Sequence, residues 1–597
     1  MILVFGGTTE GRQAIEALEA AGSRFYYSTR GDEQQVSLTH GIHLKGGMEH
    51  SEMVAFCKEN DIRLIVDAAH PFAENLHRNL LQLAISLELP IIRFDRIYPS
   101  HTNDVIWCKD YQDAICRLVE HDVKRLLALT GVNTIVPLRP YWNRHECWFR
   151  ILHRKTSIGL ATQAGFPQKQ LVFYEEDATD TLINQLHPDA ILTKESGVSG
   201  GFFQKVESAK AAGVKVFAVE RPAYPPRDVI PPDKTVSIDY VNGPYGLRRV
   251  VEKRLPEFFP LHSGLTTGTC ATAAAVAAAN ALLRKETPAE VSVILPNGET
   301  ILVPVSYGDG FAYVTKPNSD DPDVTDGLEV RATVSHISDE QSQVIEIRGG
   351  VGVGTFTLPG FDFPPGEPAI NKAPRQMIRD NLSPFGVSLR VVISVPEGEE
   401  IARRTFNPRL GIVGGISIIG VSGIVMPFSE EAFIESIRKC MEVAKTSGTE
   451  RVVINSGAKS ERFVRARYPD LPQQAFVEYG NYIGETLRIA DELALEKVTL
   501  GVMLGKAVKL AAGQLDTHSR KETMDKIFIS QMLAEAGITT DITGLTLARD
   551  LWNIIPDEKI PDFCSVVISH CRQHCQPIMQ NGELTILLIG EKGEIYE

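Results

Sequence analysis

The chain has no run of about 20 apolar residues free of polar interruption, so it offers no candidate for a membrane-spanning helix. It has no basic stretch and apolar h-region at its start. Residues 2–5 are too few and run straight into GGTTEG, so no secretory leader is expected. Positive charge is not in excess. The 61 Lys and Arg against 75 Asp and Glu leave a net charge of -14, which argues against a nucleic-acid binder. An acidic small molecule remains compatible, because local arginines and helix N-termini hold carboxylates even on an acidic protein. Cysteine is sparse and odd in number. Nine scattered positions suit reduced thiols in a cytoplasm, not a disulfide framework. The remainder, 43% hydrophobic and 23% charged, is ordinary for a soluble globular protein. At 597 residues the chain exceeds what one core supports, and three or four domains are expected.

What is present begins twice. Residues 1–5 form a continuous apolar run, the pattern of a strand covered on both faces in a parallel sheet. GGTTEG follows, then RQAIEALEAAG with Ile15 and Leu18 at helical spacing and Gly22 as a stop, then a second strand over 24–28. The glycine turn of this β-α-β unit (Gly6, Gly7, Thr8, Gly11) offers backbone amides to a phosphate. Thr8 takes the middle position of G-x-G-x-x-G, and a plain tight turn accounts for the pattern as readily. The second strand ends in Ser28, Thr29 and Arg30, where an NAD enzyme carries a carboxylate. Hydroxyls beside a guanidinium fit a 2′-phosphate, which favours NADPH, with Asp32 as a further contributor and a solvated arginine as the alternative. Residues 62–66 read as a strand, and Asp67, His70 and Pro71 lie past its carboxyl end, where open α/β sheets bind ligands. RLLALTG, AILTKESGVSGGF and KVFAVERP supply strands of a second α/β half.

The second beginning is SGLTTGTC. Thr266, Thr267 and Thr269 are good N-caps ahead of Cys270 and the run ATAAAVAAANALL, whose small side chains let a helix pack closely on a sheet or a flat ligand. Cys270 reads as a small buried thiol. DDPDVTDG crowds Asp320, Asp321, Asp323 and Asp326 into one turn. It invites a hard cation without the EF-hand spacing, and Asx-turn capping explains it more cheaply. Glycine and proline are dense over 349–375 and glycine over 406–427, as in loop walls around a ligand. Ser429 with Glu430 and Glu431 marks a helix start. RVVINSG, KVTLGVMLG and LTILLIG read as strands, and 433–443 and 481–493 as helices, which makes another α/β layer. GKAVKLAAGQLDTHS places Gly505 and Lys506 at a strand's carboxyl end, with Lys509, Asp516, Thr517 and His518 converging there. His570, Cys571, His574 and Cys575 imitate a metal site, but their rows on a helix splay too far for easy tetrahedral closure, and no metal is expected.

Residues 1–240 resemble the precorrin-6A reductase family of cobalamin biosynthesis. The resemblance rests on GGTTEG at 6–11, DAAHPFA at 67–73, LPIIRFDR at 89–96, LTG at 129–131, TKESGVSGG at 193–201 and VERP at 219–222. It implies hydride transfer from NADPH or NADH to a double bond of a corrinoid precursor. The cofactor would lie on Gly6–Gly11 and Ser28–Arg30. The macrocycle would lie between two halves near His70, Arg93, Arg96, Ser196 and Gly197, with His70 and Asp67 as candidate catalytic groups. Glu195 stands where many relatives have Asn, and brings a negative charge near a polyanionic substrate. Residues 264–520 resemble the cobalt-precorrin-5B C-1 methyltransferase family through TTGTCATAAA, DDPDVTDG, GVGTFTLPG, GEPAIN, NPRLGIVGGISIIG and GKAVKLAAG with DTHS, in that order. That resemblance implies S-adenosylmethionine held near Gly414, Gly415, Gly505 and Lys506, and a macrocycle against Thr266, Thr267, Thr269 and Asn371. Relatives tend to carry Lys-Asp-Ala-Gly where this chain has Lys316, Pro317, Asn318 and Ser319. Methyl transfer needs alignment within about 3–3.5 Å more than it needs acid–base residues. His518 is the candidate base, or else fixes its loop.

The expected architecture is α/β. A pair of Rossmann-like halves over 1–258, divided near 125, precedes an α+β part from 262 to about 400 and an α/β part over 401–597. Residues 242–262 read as a short basic helix followed by prolines, a domain end and linker where a cut should give two soluble fragments. The expected function is bifunctional: C-1 methylation of cobalt-precorrin-5B to cobalt-precorrin-6A, then reduction to cobalt-precorrin-6B. The setting is cytoplasmic, with tetrapyrrole substrates, no nucleic acid, no membrane, and a homo-oligomer allowed. Two alternatives stay open. One is a corrinoid- or nucleotide-binding regulator without turnover. The other is a nicotinamide-dependent oxidoreductase on another substrate with a non-catalytic C-terminal corrinoid-binding module.

Overall fold

The structure, a computed structural model, describes residues 1–31, 35–98, 100–174, 178–226, 229–231, 234–337, 343–518 and 524–597. It comprises two compact units, Met1–His262 with Asn297–Ile301, and Ser263–Pro296 with Leu302–Glu597. Asp32 and Ser519 lie outside the described residues.

The first unit holds two six-stranded sheets. The first runs Ile238–Val241, Ile91–Phe94, Leu64–Asp67, Ile2–Phe5, Phe25–Thr29, Gly41–Lys45, every neighbouring pair parallel. The second runs Ile106–Cys108, Lys215–Val219, Ala190–Lys194, Arg125–Ala128, Glu146–Ile151, Leu171–Phe173, again all parallel. The apolar run Ile2–Phe5 and the strand Leu64–Asp67, apolar up to its terminal aspartate, are the central strands, buried on both faces as a covered parallel sheet demands. The second sheet opens at Ile106–Cys108, ahead of the division expected near 125, because Val105 and Trp107 pack into that half's core. The chain later returns to the first sheet at Ile238–Val241.

The short basic helix and domain end expected over 242–262 are present, the unit ending at His262, but the stretch is packed core and not a free linker. Helix Pro244–Arg254 packs on helix Thr9–Glu19. Leu247, Val251, Leu255, Phe258 and Phe259 fill the first half's core beside Ile15, Leu18 and Phe25. The basic residues misled the reading, because Arg248 is itself covered, pairing with Glu252 and lying over the Phe259 ring.

The second unit begins with the short strand Gly264–Leu265, paired with Ile424–Val425, and then helix Thr267–Ala279, every residue of which is buried. An alanine helix apolar all round has no solvent face, so it must be covered on all sides. It packs on strands Phe311–Thr315 and Glu329–His336 and on helix Lys372–Leu382. The sheet beneath runs Ser306–Gly308, Phe311–Thr315, Glu329–His336, Leu389–Ser394, Ile345–Gly349, antiparallel except for its last pair. The α/β layer then starts at helix Glu430–Thr446. Ser429 caps it by accepting from Ala432 N at 3.2 Å, as the Ser-Glu-Glu sequence foretells. Residues 401–427 belong with the preceding part and not with this layer, since Ile412–Val413 pairs with Thr355–Phe356. Strands Phe476–Glu478, Arg451–Asn455, Lys497–Met503 and Glu583–Ile589 are parallel, with Ile595–Tyr596 an antiparallel edge. Among the described residues none of the nine cysteines forms a disulfide, and no helix is long and apolar enough to cross a membrane.

The aspartate turn folds around an internal cation. Lys316, 1% exposed, donates to Asp323 at 2.9 Å and to Asp326. Asp323 also closes an Asx turn on Thr325 N at 2.8 Å, and Asp326 accepts from Ser319 N at 2.8 Å. Burial opposes the ammonium, but Asp323 and Asp326 hold Lys316 above its ordinary value. The lysine occupies the place the sequence left open to a metal. Lys316→Ala should therefore cost about 1.5–3 kcal/mol by removing the charged donor shared by the partly buried carboxylates of Asp323 and Asp326. Calcium or a chelator should leave the wild-type melting temperature where it was. A truncation at residue 243 should yield an insoluble first unit and one at 262 a soluble one, which sedimentation of the expressed fragments would decide.

Candidate active sites

In the first unit the carboxyl ends of the two sheets converge. Gly6 and Gly11 press on the side chain of Tyr27. A Cβ at Gly6 would fall 2.4 Å from that ring, and one at Gly11 2.8 Å from its hydroxyl. Tyr27 Oη in turn accepts from Gly7 N at 2.9 Å. Thr8 caps the following helix, accepting from Gly11 N at 3.1 Å, and donates to Ala68 O at 2.8 Å. Gly7, at φ +95° with open space where a side chain would project, presents the exposed face of the turn. Ser28 and Thr29 are buried, and Thr29 Oγ1 donates to Gly31 O at 2.9 Å and meets His43 Nε2 at 2.7 Å. Arg30 stands exposed at the strand end with no partner among the described residues.

Asp67 is fully buried and saturated. One oxygen accepts from Arg93 at 3.0 Å and the other meets His77 Nδ1 at 2.7 Å. Burial opposes its charge, yet Arg93 and His77 hold the carboxyl below its ordinary value. The far side of His77 bonds His70 O at 3.0 Å, so the network fixes the backbone that carries His70. His70 Nδ1 accepts from Phe72 N at 3.2 Å, which leaves Nε2 as the outward atom. Burial, with Arg96, Lys194 and Arg93 nearby, pushes this imidazole down to about 3, so it is neutral at physiological pH. Arg96 links the halves, donating to Ser196 O at 2.7 Å and Glu10 at 3.0 Å, and Glu10 also accepts from Ser199. Gly197, at φ +69°, lies where a Cβ would strike Arg96 and Ile97 O at 2.9 Å. Glu195 does not face the site as a bare charge, for Arg221 donates to both of its oxygens from backbone and side chain. Lys194 and Lys205 are both pushed down to about 8 by burial. Sequence reading missed His77, Tyr224 and Arg150. Tyr224 lies under Arg93 at 5.1 Å, and Arg150, next to the last residue of its strand, donates to Thr179 Oγ1 at 3.0 Å. Only His77 carried a signal, ten residues after Asp67 in the same motif.

In the second unit the three threonines hold the loop over 417–423. Thr267 Oγ1 accepts from Ile419 N at 2.9 Å, Thr269 Oγ1 donates to Gly423 O at 2.6 Å, and Thr266 caps Thr269 N at 3.2 Å. The glycine-dense segments pack backbone on backbone. A Cβ at Gly415 would meet Gly352 O at 2.1 Å, while Gly414 opens to space. Asn407, unnoticed in the sequence, ties the weave by donating to Gly415 O at 3.3 Å and accepting from Ser417 Oγ at 3.1 Å. Asn371 begins helix Lys372–Leu382 with its Oδ1 buried and unbonded, a polar atom without a protein donor.

At the carboxyl end of the last parallel sheet, Gly505 projects into open space and Lys506 donates to Gly480 O. Burial pushes Lys506 down to about 8 and raises Glu478 above its ordinary value. Asn455 supports the same rim, its Oδ1 accepting from Gly457 N at 3.0 Å. Thr517 N donates to Asn481 O at 3.0 Å, and His518 N donates to Asp516 Oδ1 at 3.1 Å, so the DTHS segment lies along this edge. Arg409 reaches it from the NPRLG segment, donating to Glu461 at 2.8 Å. The His-Cys cluster is dispersed: His570 meets Glu535 at 2.8 Å, while Cys571 is turned inward onto Ala507 O.

The comparisons agree with this division. The family model described as Precorrin-6x reductase CbiJ/CobK matches residues 1–239, and that described as CbiD matches residues 256–427. The cobalt-precorrin-5B C(1)-methyltransferase of Prosthecochloris aestuarii is 42% identical over 345 residues, 55% of this chain and 94% of that protein. Among solved structures, the cobalamin biosynthesis protein cbiD from Archaeoglobus fulgidus is 32% identical with a TM-score of 0.25, covering 44% of this chain and 83% of that one. A CobK precorrin-6A reductase is 18% identical with a TM-score of 0.35, covering 42% and 96%. The chain thus belongs to the cobalt-precorrin-5B C(1)-methyltransferase family and carries, ahead of that portion, a precorrin-6x reductase domain of cobalamin biosynthesis.

Proposed function

We propose that the chain performs two consecutive steps. Residues from 263 onward methylate cobalt-precorrin-5B at C-1 with S-adenosylmethionine, and the first unit reduces the resulting cobalt-precorrin-6A to cobalt-precorrin-6B with NADPH. The observation that carries the reductase half is the set of cations where its two sheets converge. Half-buried Lys205 and buried Arg150 stand there with no acidic partner among the described residues. A polycarboxylate macrocycle supplies the negative charge they lack. The open space over the turn at Gly7 and the exposed Arg30 fit a nicotinamide dinucleotide phosphate, which when bound supplies a hydride. The residues present therefore suit that group.

In the methyltransferase half, the open backbone at Gly505 and the carboxylate of Glu478 at the end of its strand suit the donor's ribose and amino-acid parts. S-adenosylmethionine when bound supplies an electrophilic methyl group. The protein's task is to align that methyl with a ring carbon and exclude water. Asn371 Oδ1, Gly414 and the loop held by Thr266, Thr267 and Thr269 line the substrate side in this reading. The setting is the cytoplasm.

Anaerobic incubation with cobalt-precorrin-5B, with each cofactor alone and then both, tests the reading by mass spectrometry. A mass gain of one methyl with S-adenosylmethionine, and of two further hydrogens only when NADPH is added, is the expected result. No methylated product would overturn it. Gly6→Val should abolish reduction and spare methylation, because the branched side chain would displace Tyr27 from under the turn. Arg30→Ala should weaken NADPH by about 2 kcal/mol, roughly thirtyfold, and leave NADH unchanged, as titration of the two cofactors would register.

A further inference from the structure

Reducing a double bond adds a hydride to one atom and a proton to its neighbour, so the first unit must hold an acid as well as the hydride donor. This inference rests on the reductase reading above. The obvious acids at the site are closed. Asp67 is saturated by Arg93 and His77, Glu10 by Arg96 and Ser199, and Glu195 by Arg221. Tyr98 donates its proton to Asp95 at 2.7 Å. His70 has Nδ1 engaged by Phe72 N and is a neutral imidazole, a hydrogen-bond donor and not an acid. Arg96 and Arg150 do not release protons at any working pH.

Lys194 stands apart from all of these. It ends the strand Ala190–Lys194 at the point where the second sheet meets the loop of the first half. Its ammonium lies 5.1 Å from the centroid of the Phe72 ring, on the same loop as His70. It has neither acidic partner nor hydrogen-bond acceptor among the described residues, whereas Lys205 nearby donates to Gly200 O at 2.8 Å. We propose that Lys194 is the proton donor of the reduction, with the neutral His70 holding the substrate beside it.

The balance is simple. The hydride, bringing two electrons, forms a C–H bond at one atom of the double bond and leaves the nicotinamide oxidised. The electron pair of that double bond takes a proton from Lys194 Nζ at the neighbouring atom, the N–H bond breaks with its pair staying on the amine, and water returns the proton. The titratable groups that face Lys194 are His70, neutral, from the first half and Lys205 from helix Phe202–Ala211, and neither brings a negative charge. Burial brings the ammonium down to about 8, close to the working pH, where a general acid is most effective.

The test uses the full chain with cobalt-precorrin-6A and NADPH under anaerobic conditions. The wild-type kcat for reduction should be level at low pH and fall about tenfold per pH unit above about 8, since the acid is the protonated form. Lys194→Gln should lower kcat at pH 7 by about a hundredfold, with KM within about twofold and no alkaline limb. Lys194→Arg should be as slow, because a guanidinium keeps the charge without giving up the proton. C-1 methylation by the same variant chains should be unaffected, which reports intact folding. A second readout needs no turnover: competitive acetylation of Lys194 across pH, followed by mass spectrometry on the protein alone, should give a midpoint near 8, against about 10.4 for an ordinary lysine. The proposal is overturned by a variant that keeps its kcat, by a change confined to KM that arginine repairs, or by a labelling midpoint near 10. A wild-type chain unable to reduce cobalt-precorrin-6A would instead sink the reductase reading, and the labelling midpoint would still judge the acidity claimed for Lys194.

Discussion

A charge taken out of water must be met by an opposite one, and in this chain that constraint shapes the loops at the carboxyl ends of the strands. Asp67 with Arg93 and His77, Glu10 with Arg96, Glu195 with Arg221, and Lys316 with Asp323 and Asp326 each join the end of one strand to another segment. Such pairs add little net stability over an apolar core of the same volume, but removing one member leaves the other stranded at a cost of several kcal/mol. Their effect is therefore to permit one arrangement of the loops and penalise others. Where no described residue brings an acid, as beside Lys194, the charge is open to a role in chemistry instead of architecture.

Much of the fold was legible because the first-order signals were local. The strand runs over 2–5 and 64–67, the Ser-Glu-Glu helix start at 429 and the alanine helix after Thr266 each announce themselves within a dozen residues. What escaped depended on partners far along the chain. Strand Ile238–Val241 lies beside Ile91–Phe94, nearly 150 residues upstream, and helix Pro244–Arg254 looked like a basic linker because its buried face holds only Leu247 and Val251 among six charged or small neighbours. Periodicity that short cannot outweigh the basic residues around it.

The sites divide the same way. Sequence located Gly6, Asp67, His70, Arg96 and Ser196 on the strand ends of the first unit, but gave no view of which side chains would be closed by partners. Asp67 looked like a catalytic group and is occupied by Arg93 and His77, while Glu195 looked like a repulsive charge and is paired with Arg221. Thr266, Thr267 and Thr269 looked free to meet a ligand, yet their hydroxyls hold the loop over 417–423 from more than 140 residues away. The dense glycines read as a ligand wall are in part a packing device. Gly415 sits where any side chain would enter the Gly352 backbone, while Gly414 beside it faces open space. Hydrogen-bond partners, and not residue types, separate support from chemistry here, and partners are a property of the folded chain.

The same reasoning bears on why two enzymes share one polypeptide. Each buried charge named above is answered within its own unit, so the linkage is not needed to complete either set of ion pairs. What covalent linkage adds is proximity: a tethered second site sees the first site's product at an effective concentration of about millimolar without any new contact. That advantage matters only for a product that is scarce or short-lived in free solution, and a partly reduced macrocycle open to oxidation is such a product. A receiving site that carries Lys205 and Arg150, with no acidic partner among the described residues, suits it further, since attraction between a polycarboxylate and a cationic cleft raises the rate of capture over distances of about a Debye length, about 8 Å at physiological salt. Tethering brings the product near, and the cations at the strand ends then compete with diffusion for it.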